Sequence, residues 1–204
     1  MNLGTRPRLE IVILCAGQSR RLGSPKALAR VRGVSLLRRT ARLLATLGAA
    51  ELAAIVPPKH RRHALELAGV DCKIHVNRRR AEGLSSSVRV GVAHAHGASA
   101  VLIVPVDLPD LDRRDLVRLV RAWRASPRRT VARRIGEGGG APLILPRAYF
   151  PAVRRLEGDV GLRDWLRTLP ADRRRFLSMP SAETDIDTPR DLRAARRRHQ
   201  PPWK

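Results

Sequence analysis

Leu9-Glu10-Ile11-Val12-Ile13-Leu14-Cys15-Ala16-Gly17-Gln18-Ser19-Arg20-Arg21-Leu22-Gly23-Ser24-Pro25-Lys26 is the stretch whose reading decides the fold. Its first six residues form an apolar, β-branched-rich run, the pattern of a buried strand. A turn of small residues then leaves the strand's C-terminal end and carries Arg20, Arg21 and Lys26. Backbone N–H groups in such a turn, with fixed cations beside them, form a receptor for phosphate oxygens. Ligands of open α/β sheets bind at the carboxyl ends of the strands, where this loop lies. The spacing is not that of a Walker A loop, because five residues separate Gly17 from Gly23 and Pro25 precedes Lys26.

Outward from this loop, strand and helix patterns alternate, which predicts βα units around a mostly parallel sheet. Helices are expected over 35–47, 59–68, 85–96 and 112–123, with strands over 52–56, 72–76 and 100–106. The run Ala100–Val106 is almost purely apolar and should be a central strand buried on both faces. Beyond it the pattern loosens. Strands over 129–135 and 143–145 flank a glycine stretch, 136–140, that reads as flexible. Helices over 147–155 and 160–169, a short strand over 174–177 and a last helix opened by Thr188-Pro189 complete the series. The expectation is a single domain over 1–204, globular from about 9 to 198, with a basic tail at 199–204.

Aromatic residues supply only 3% of the chain, so Leu, Val, Ile and Ala must do most of the packing. No apolar run reaches the roughly 18 residues of a membrane span, and 1–8 lacks the apolar core of a secretory signal. Two cysteines cannot build a thiolate-rich metal site or suggest an oxidising compartment. A cytoplasmic enzyme is expected. The net charge of +23 attracts polyanions. Its arginines are nevertheless scattered through every segment, without interleaved aromatics or zinc-finger spacing, so nucleic acid is not the expected specific partner.

Three further segments carry chemistry. Asp107 follows the buried run and precedes Leu108-Pro109, so its carboxylate should emerge at the sheet's C-terminal edge as a hard oxygen ligand suited to Mg²⁺. Asp110 and Asp112 suit helix caps instead. In Asp185-Ile186-Asp187-Thr188-Pro189 an extended backbone puts both acids on one side, although both would also suit the positive end of the following helix. The stretch from Asn77 to Val88 reads as a loop entering a helix, with Ser85, Ser86 and Ser87 available to a nucleotide or as caps. The six histidines form no site and are expected on the surface.

The first loop resembles the signature of the nucleotidyltransferases related to molybdenum cofactor cytidylyltransferase, roughly Leu-Ala-Ala-Gly-x-Ser-x-Arg-Met-Gly-x-Pro-Lys; Cys15 and Leu22 are its two departures. Val106-Asp107-Leu108-Pro109 resembles that family's Gly-Asp-Met-Pro, and Asp-Ile-Asp-Thr-Pro also precedes its last helix. Asn77, Gly83 and Ser87 fall in register with its Asn-Gly-Ser segment. Gly140-Ala141-Pro142 and Gly158-Asp159-Val160-Gly161-Leu162-Arg163 resemble its acceptor-side elements.

These matches run in family order over nearly the whole chain. The resemblance implies a three-layer α/β/α domain with a predominantly parallel mixed sheet, similar to the nucleotide-diphosphosugar transferases. It implies Mg²⁺-dependent nucleotidyl transfer, with Mg²⁺ on Asp107 and Asp187 and catalysis by Lys26, Arg21 and Asp107. Ala16, Gly17, Arg21, Lys26, Asn77 and Ser87 are implied as the nucleotide site, and Gly140, Pro142 and Arg163 as the acceptor site. Cys-Ala-Gly before Gln18, and Pro25 before Lys26, resemble the cytidylyl type, so CTP is the expected nucleotide and molybdopterin the expected acceptor. A molybdoenzyme or its chaperone is a conceivable partner. GTP, or a sugar or alcohol phosphate, is the alternative within the reaction class. A basic nucleic-acid-binding protein with a degenerate site is the alternative outside it.

Overall fold

A computed structural model describes residues 7–157 and 162–199. Strand β1 (Leu9–Leu14) is buried along its full length and runs parallel to β4 (Glu51–Val56) on one side and β6 (Ala100–Pro105) on the other. Strand β5 (Lys73–Val76) extends the parallel set beyond β4. On the far side, β8 (Gly138–Pro146) runs antiparallel to β6 and to β7 (Thr130–Ile135), and β9 (Arg174–Leu177) is parallel to β7. The seven-stranded order is β5-β4-β1-β6-β8-β7-β9. Only β8 opposes the others. After β5 the chain crosses back over β4 and β1 to β6, and this reversal of strand order beside β1 opens the crevice in which α/β sheets hold ligands.

Alternation along the strands sorts the core into two layers. Ile11, Ile13, Leu102 and Val104 point to the face covered by α1 (Leu36–Ala45), α2 (Arg61–Leu67), α4 (Arg113–Ala125) and α7 (Pro189–Arg198). Val12, Leu14, Val101 and Ile103 point to the face covered by α3 (Leu84–His94), α5 (Phe150–Arg154) and α6 (Leu162–Thr168). Each such side chain stabilises the fold by roughly 1.5–3 kcal/mol through burial. The result is a three-layer α/β/α fold with a mostly parallel mixed sheet. In α3, Gly91 lets the helix lie directly on β1, since a Cβ there would stand 2.7 Å from Val12 Cγ1.

The element boundaries follow local chemistry. Ser35 caps α1 by accepting from the Arg38 N–H at 3.1 Å, and Asp112 caps α4 through the Asp115 N–H at 2.8 Å. Asp110 is no cap; its carboxylate meets Arg198 and His199 of the last helix. The glycines of 138–140 belong to β8 rather than to a flexible stretch, because β7 pairs with them residue by residue. A two-residue hairpin, β2 (Arg30–Val31) and β3 (Val34–Ser35), turns at Arg32-Gly33 with positive φ at both. Among the described residues no helix is long and apolar enough to cross a membrane.

Candidate functional site

The C-terminal ends of β1, β4 and β6 are tied together where the loop begins. Cys15 N–H donates to the Ile55 carbonyl at 3.1 Å, and Val106 N–H donates to the Leu14 carbonyl at 3.3 Å. Beyond that knot Ser19 takes a left-handed backbone, φ 50°, a conformation that costs a non-glycine residue about 1–2 kcal/mol. Local hydrogen bonds offset the strain. Its carbonyl accepts from Leu22 and Gly23 N–H at 3.1 and 3.2 Å, and its hydroxyl accepts from the Lys26 N–H at 3.0 Å. The loop therefore closes on itself and turns Lys26 back over the sheet edge.

Lys26 reaches Asp107 with its ammonium, 2.9 Å from Nζ to Oδ2, and hydrogen bonds to Asp187 Oδ1 as well. Asp187 Oδ2 also accepts from Arg21 at 2.5 Å. Four charged side chains from three distant segments of the chain thus converge. Their mutual placement is fixed by backbone contacts, since the Ile186 N–H donates to the Asp107 carbonyl at 2.9 Å. Asp191 Oδ2 in turn accepts from the N–H groups of Asp187 and Thr188, at 3.1 and 2.7 Å, as part of the capping box that opens α7. Burial pulls the Lys26 pKa down, but the Asp107 charge and the bonds to both carboxylates outweigh it and leave it above its ordinary value. The ammonium stays charged.

A cavity of about 410 Å³ opens on this cluster, walled by Ala16–Arg21, Lys26, Arg80, Gly83, Leu84, Ser87, Asp107 and Asp187. Ala16, Gly17, Arg21, Lys26 and Ser87 are therefore brought together. Asn77 is not among them. It is fully buried, with its amide donating to the hydroxyls of Ser86 and Ser87 at 2.8 and 3.0 Å and its carbonyl accepting from Arg79 N–H. It holds the serine turn in place, and a direct contact with a ligand in the cavity is closed to it. Leu84 is an exposed apolar side chain on the cavity's far wall.

The residues expected on the acceptor side are dispersed. Gly140 and Pro142 are buried within β8, and a Cβ at Gly140 would lie 2.5 Å from the terminal Cδ1 of Ile135, which would have to turn aside. Arg163 is exposed on α6, while Gly158, Asp159, Val160 and Gly161 lie outside the described residues. The structure brings forward a different arginine. Arg133 sits on β7 at a register shift, donates from Nη1 to the Ala182 carbonyl, and buries an Nε with no partner among the described residues. Burial lowers its pKa, and the charges of Asp185, Asp107 and Glu183 oppose that shift. Nothing in the sequence singles it out among so many arginines; only the strand register places it beside the carboxylates. The histidine expectation also fails at His63, which is 2% exposed, whereas half-buried His75 stacks on exposed His94 with ring centres 3.8 Å apart.

The model of the MobA-like NTP transferase domain matches residues 11–174. The chain belongs to this family. It is 30% identical over 192 residues to a Rhodopirellula baltica protein named "Probable molybdenum cofactor guanylyltransferase", with 91% of this chain and 90% of that one covered. It is also 31% identical over 173 residues to "Nicotine blue oxidoreductase" of Paenarthrobacter nicotinovorans, covering 78% and 81%. Among solved structures, Rv0371c of Mycobacterium tuberculosis H37Rv superposes with a TM-score of 0.79 at 24% identity, over 95% of this chain and 100% of that one. A second structure of Rv0371c is a complex with manganese, with a TM-score of 0.76 over the same shares of the two chains.

This MobA-like chain is a nucleotidyltransferase, and its carboxylates can be tested for fit to a divalent cation. Asp107 and Asp187 each set an oxygen against the same ammonium nitrogen, so both converge on one cation-sized point. Among the described residues no group of three or more His, Cys, Asp and Glu could hold a metal. Two carboxylates and no third ligand suit a hard ion that completes its shell with phosphate oxygens and water. The donor set fits.

Proposed function

We propose that the chain transfers CMP from CTP to the phosphate of a molybdopterin-type acceptor, with release of pyrophosphate. The observation that carries the transfer reading is the convergence of Lys26 and Arg21 on Asp107 and Asp187 at the mouth of a cavity walled by the Ala16–Arg21 loop. In this reaction an acceptor phosphate oxygen forms a bond to the α-phosphorus while the bond from that phosphorus to the bridging oxygen breaks. The acceptor phosphate is already ionised near neutral pH, so the protein has no proton to remove. Its task is alignment and charge neutralisation.

Lys26 and Arg21 neutralise the phosphate oxygens, and the Ala16–Gly17 backbone orients the nucleotide. Mg²⁺ held by Asp107 and Asp187 would supply further charge neutralisation at the phosphates. Ser87, kept in place by Asn77, and the Arg80–Gly83 backbone face the nucleoside, with Leu84 offering it an apolar surface. Arg133, half-buried and within the field of Asp185 and Asp107, adds positive charge behind the carboxylates.

CTP is favoured by the Cys15-Ala16-Gly17 turn and by Pro25 before Lys26. GTP is the second reading, favoured by the name of the Rhodopirellula relative. The deciding experiment measures pyrophosphate release from each of four NTPs with molybdenum cofactor and with a panel of sugar phosphates. CTP should exceed GTP, because a site that hydrogen-bonds one base edge leaves buried groups unpaired with the wrong base. Equal use of CTP and GTP retires the cytidylyl assignment, and turnover with sugar phosphates alone retires the molybdopterin acceptor.

A further inference from the structure

The cavity wall at 80–84 is a loop with an outer support. Arg80, Ala81, Gly83 and Leu84 line the cavity that opens on the Lys26 cluster, but Glu82 between them does not. Its carboxylate turns to the outer side of the loop, among Arg79, Arg89, Arg154, Leu156 and Glu157. The bonds within the loop are local. The Glu82 N–H donates to the Arg79 carbonyl at 2.9 Å, and the Ser86 hydroxyl donates to the Gly83 carbonyl at 2.7 Å. Gly83 has φ 91°, a setting that glycine enters and leaves readily because it has no Cβ. Local backbone preference therefore does little to hold the wall.

Arg89 supplies the hold from outside. It stands one turn after Ser85 on α3, and its side chain keeps 20% of its accessible surface. From Nη2 it donates to the Glu82 carboxylate. From Nη1 it donates to the carbonyl of Leu156, where the chain leaves α5, and more weakly to the Ser85 hydroxyl at 3.4 Å. One guanidinium thus joins the wall loop, the first turn of α3 and the segment after α5. Bonds from an ionised donor are the strong ones, and a planar fork reaches divergent acceptors that an ammonium cannot reach together. Arg79, 3.9 Å from the other Glu82 oxygen, is largely exposed and adds little. We propose that Arg89 is a positioning residue for base selection: it fixes Glu82, and through Glu82 the wall at 80–84 against which the nucleoside is read. The inference rests on the proposal that this wall faces the nucleoside, but not on which base is preferred. It gives Arg89 no contact with substrate.

The test is calorimetric titration of the whole protein, at a fixed Mg²⁺ concentration, with CTP, GTP, ATP and UTP in turn and with sodium pyrophosphate, which carries no nucleoside. Wild type is compared with Arg89→Met, Arg89→Lys, Glu82→Gln and Arg154→Ala. Arg154 ties α5 to α3 through a bond to the Val92 carbonyl at 3.3 Å rather than to the loop, so its loss reports packing alone. Arg89→Met should weaken the preferred nucleotide about ten-fold and narrow the spread of affinities among the four bases about five-fold, because a displaced wall no longer penalises the wrong base edge. Pyrophosphate affinity should stay unchanged. Arg89→Lys should recover the melting temperature but not the spread, Glu82→Gln should reproduce part of the loss, and Arg154→Ala should behave as wild type. Equal weakening of nucleotide and pyrophosphate with the spread kept would overturn the proposal and leave Arg89 a packing residue. The same narrowing in Arg154→Ala, or a wild type that does not discriminate among the bases, overturns it as well. Ser87→Ala separates this inference from the reading beneath it. If Ser87→Ala weakens CTP while Arg89→Met weakens nothing, the wall faces the nucleoside and Arg89 does not set it; if neither weakens any nucleotide, the reading of the wall itself fails.

Discussion

Replacing Lys26 with methionine removes the ammonium and nothing else of comparable size, and the structure sets what should follow. The Lys26 side chain keeps 18% of its accessible surface, and its partners Asp107 and Asp187 keep 22% and 27%. Breaking a fully buried pair costs about 3–5 kcal/mol. Discounted for the solvent that still reaches this one, the loss should be about 2 kcal/mol, measured by chemical unfolding. Two carboxylates would then face one another without the cation between them. The rate should fall further than the stability, by roughly 100-fold or more, the usual consequence of deleting a preorganised charge at a reacting oxyanion.

Single-turnover kinetics with saturating nucleotide separate the two effects. Lys26→Arg should recover the stability and little of the rate, because a planar fork cannot place its charge where a point cation sat. The pH dependence has a definite sign. Lys26 has its pKa raised in the folded state above its ordinary 10.5, so its contribution is fully present below that value and lost as pH rises through the raised one. The stability gap between wild type and Lys26→Met should therefore be flat near neutrality and close in strongly alkaline solution. An unchanged kcat with a modest rise in nucleotide KM would refute the catalytic reasoning and leave Lys26 as a binding residue.

Asp107→Asn and Asp187→Asn should each reduce metal-dependent turnover to background while circular dichroism remains unchanged; near-normal activity in the second would reduce the Asp185–Asp187 segment to a helix-entry motif. Asp191→Asn weakens the acceptor that holds the Asp187 and Thr188 N–H groups, so it should cost about 1 kcal/mol of stability, as loss of a cap does, and lower kcat without raising nucleotide KM. Gly91→Ala drives a Cβ into the stiff, buried Val12, which should cost about 1–3 kcal/mol and lower Tm by several degrees; an unchanged melting curve would show that α3 can lift off β1 freely.

Much of this architecture is legible in the sequence because the strands that matter are buried on both faces. Leu9–Leu14 and Ala100–Pro105 read as continuous apolar runs, and turn or cap residues bound each βα unit. The glycines of 136–140 mislead. Glycine ordinarily signals a loop, but here Gly138, Gly139 and Gly140 are in a strand because β7 pairs with each of them. The hairpin at 30–35 escapes notice because two residues per strand leave no periodicity to count.

The site divides along the same line. Its loop, Lys26, Asp107 and Asp187 stand at strand ends or helix entries, where a local pattern marks them. Asn77 carries the same kind of local mark, yet its role is decided by burial, which turns its amide inward to the serines. Arg133 is marked by nothing local at all. It becomes distinctive only because the antiparallel strand β8 sets β7 beyond β6, and at the register shift at Ala132/Arg133 its guanidinium comes within the field of Asp185, Asp107 and Glu183. In a chain with 41 Lys and Arg residues, composition therefore hides the cations that matter. Those with a role are the ones whose carboxylate partners the fold has arranged. Lys26 is held between Asp107 and Asp187, where an incoming phosphate can compete with the carboxylates for its ammonium. That arrangement, rather than the net charge, is what makes this a site for chemistry.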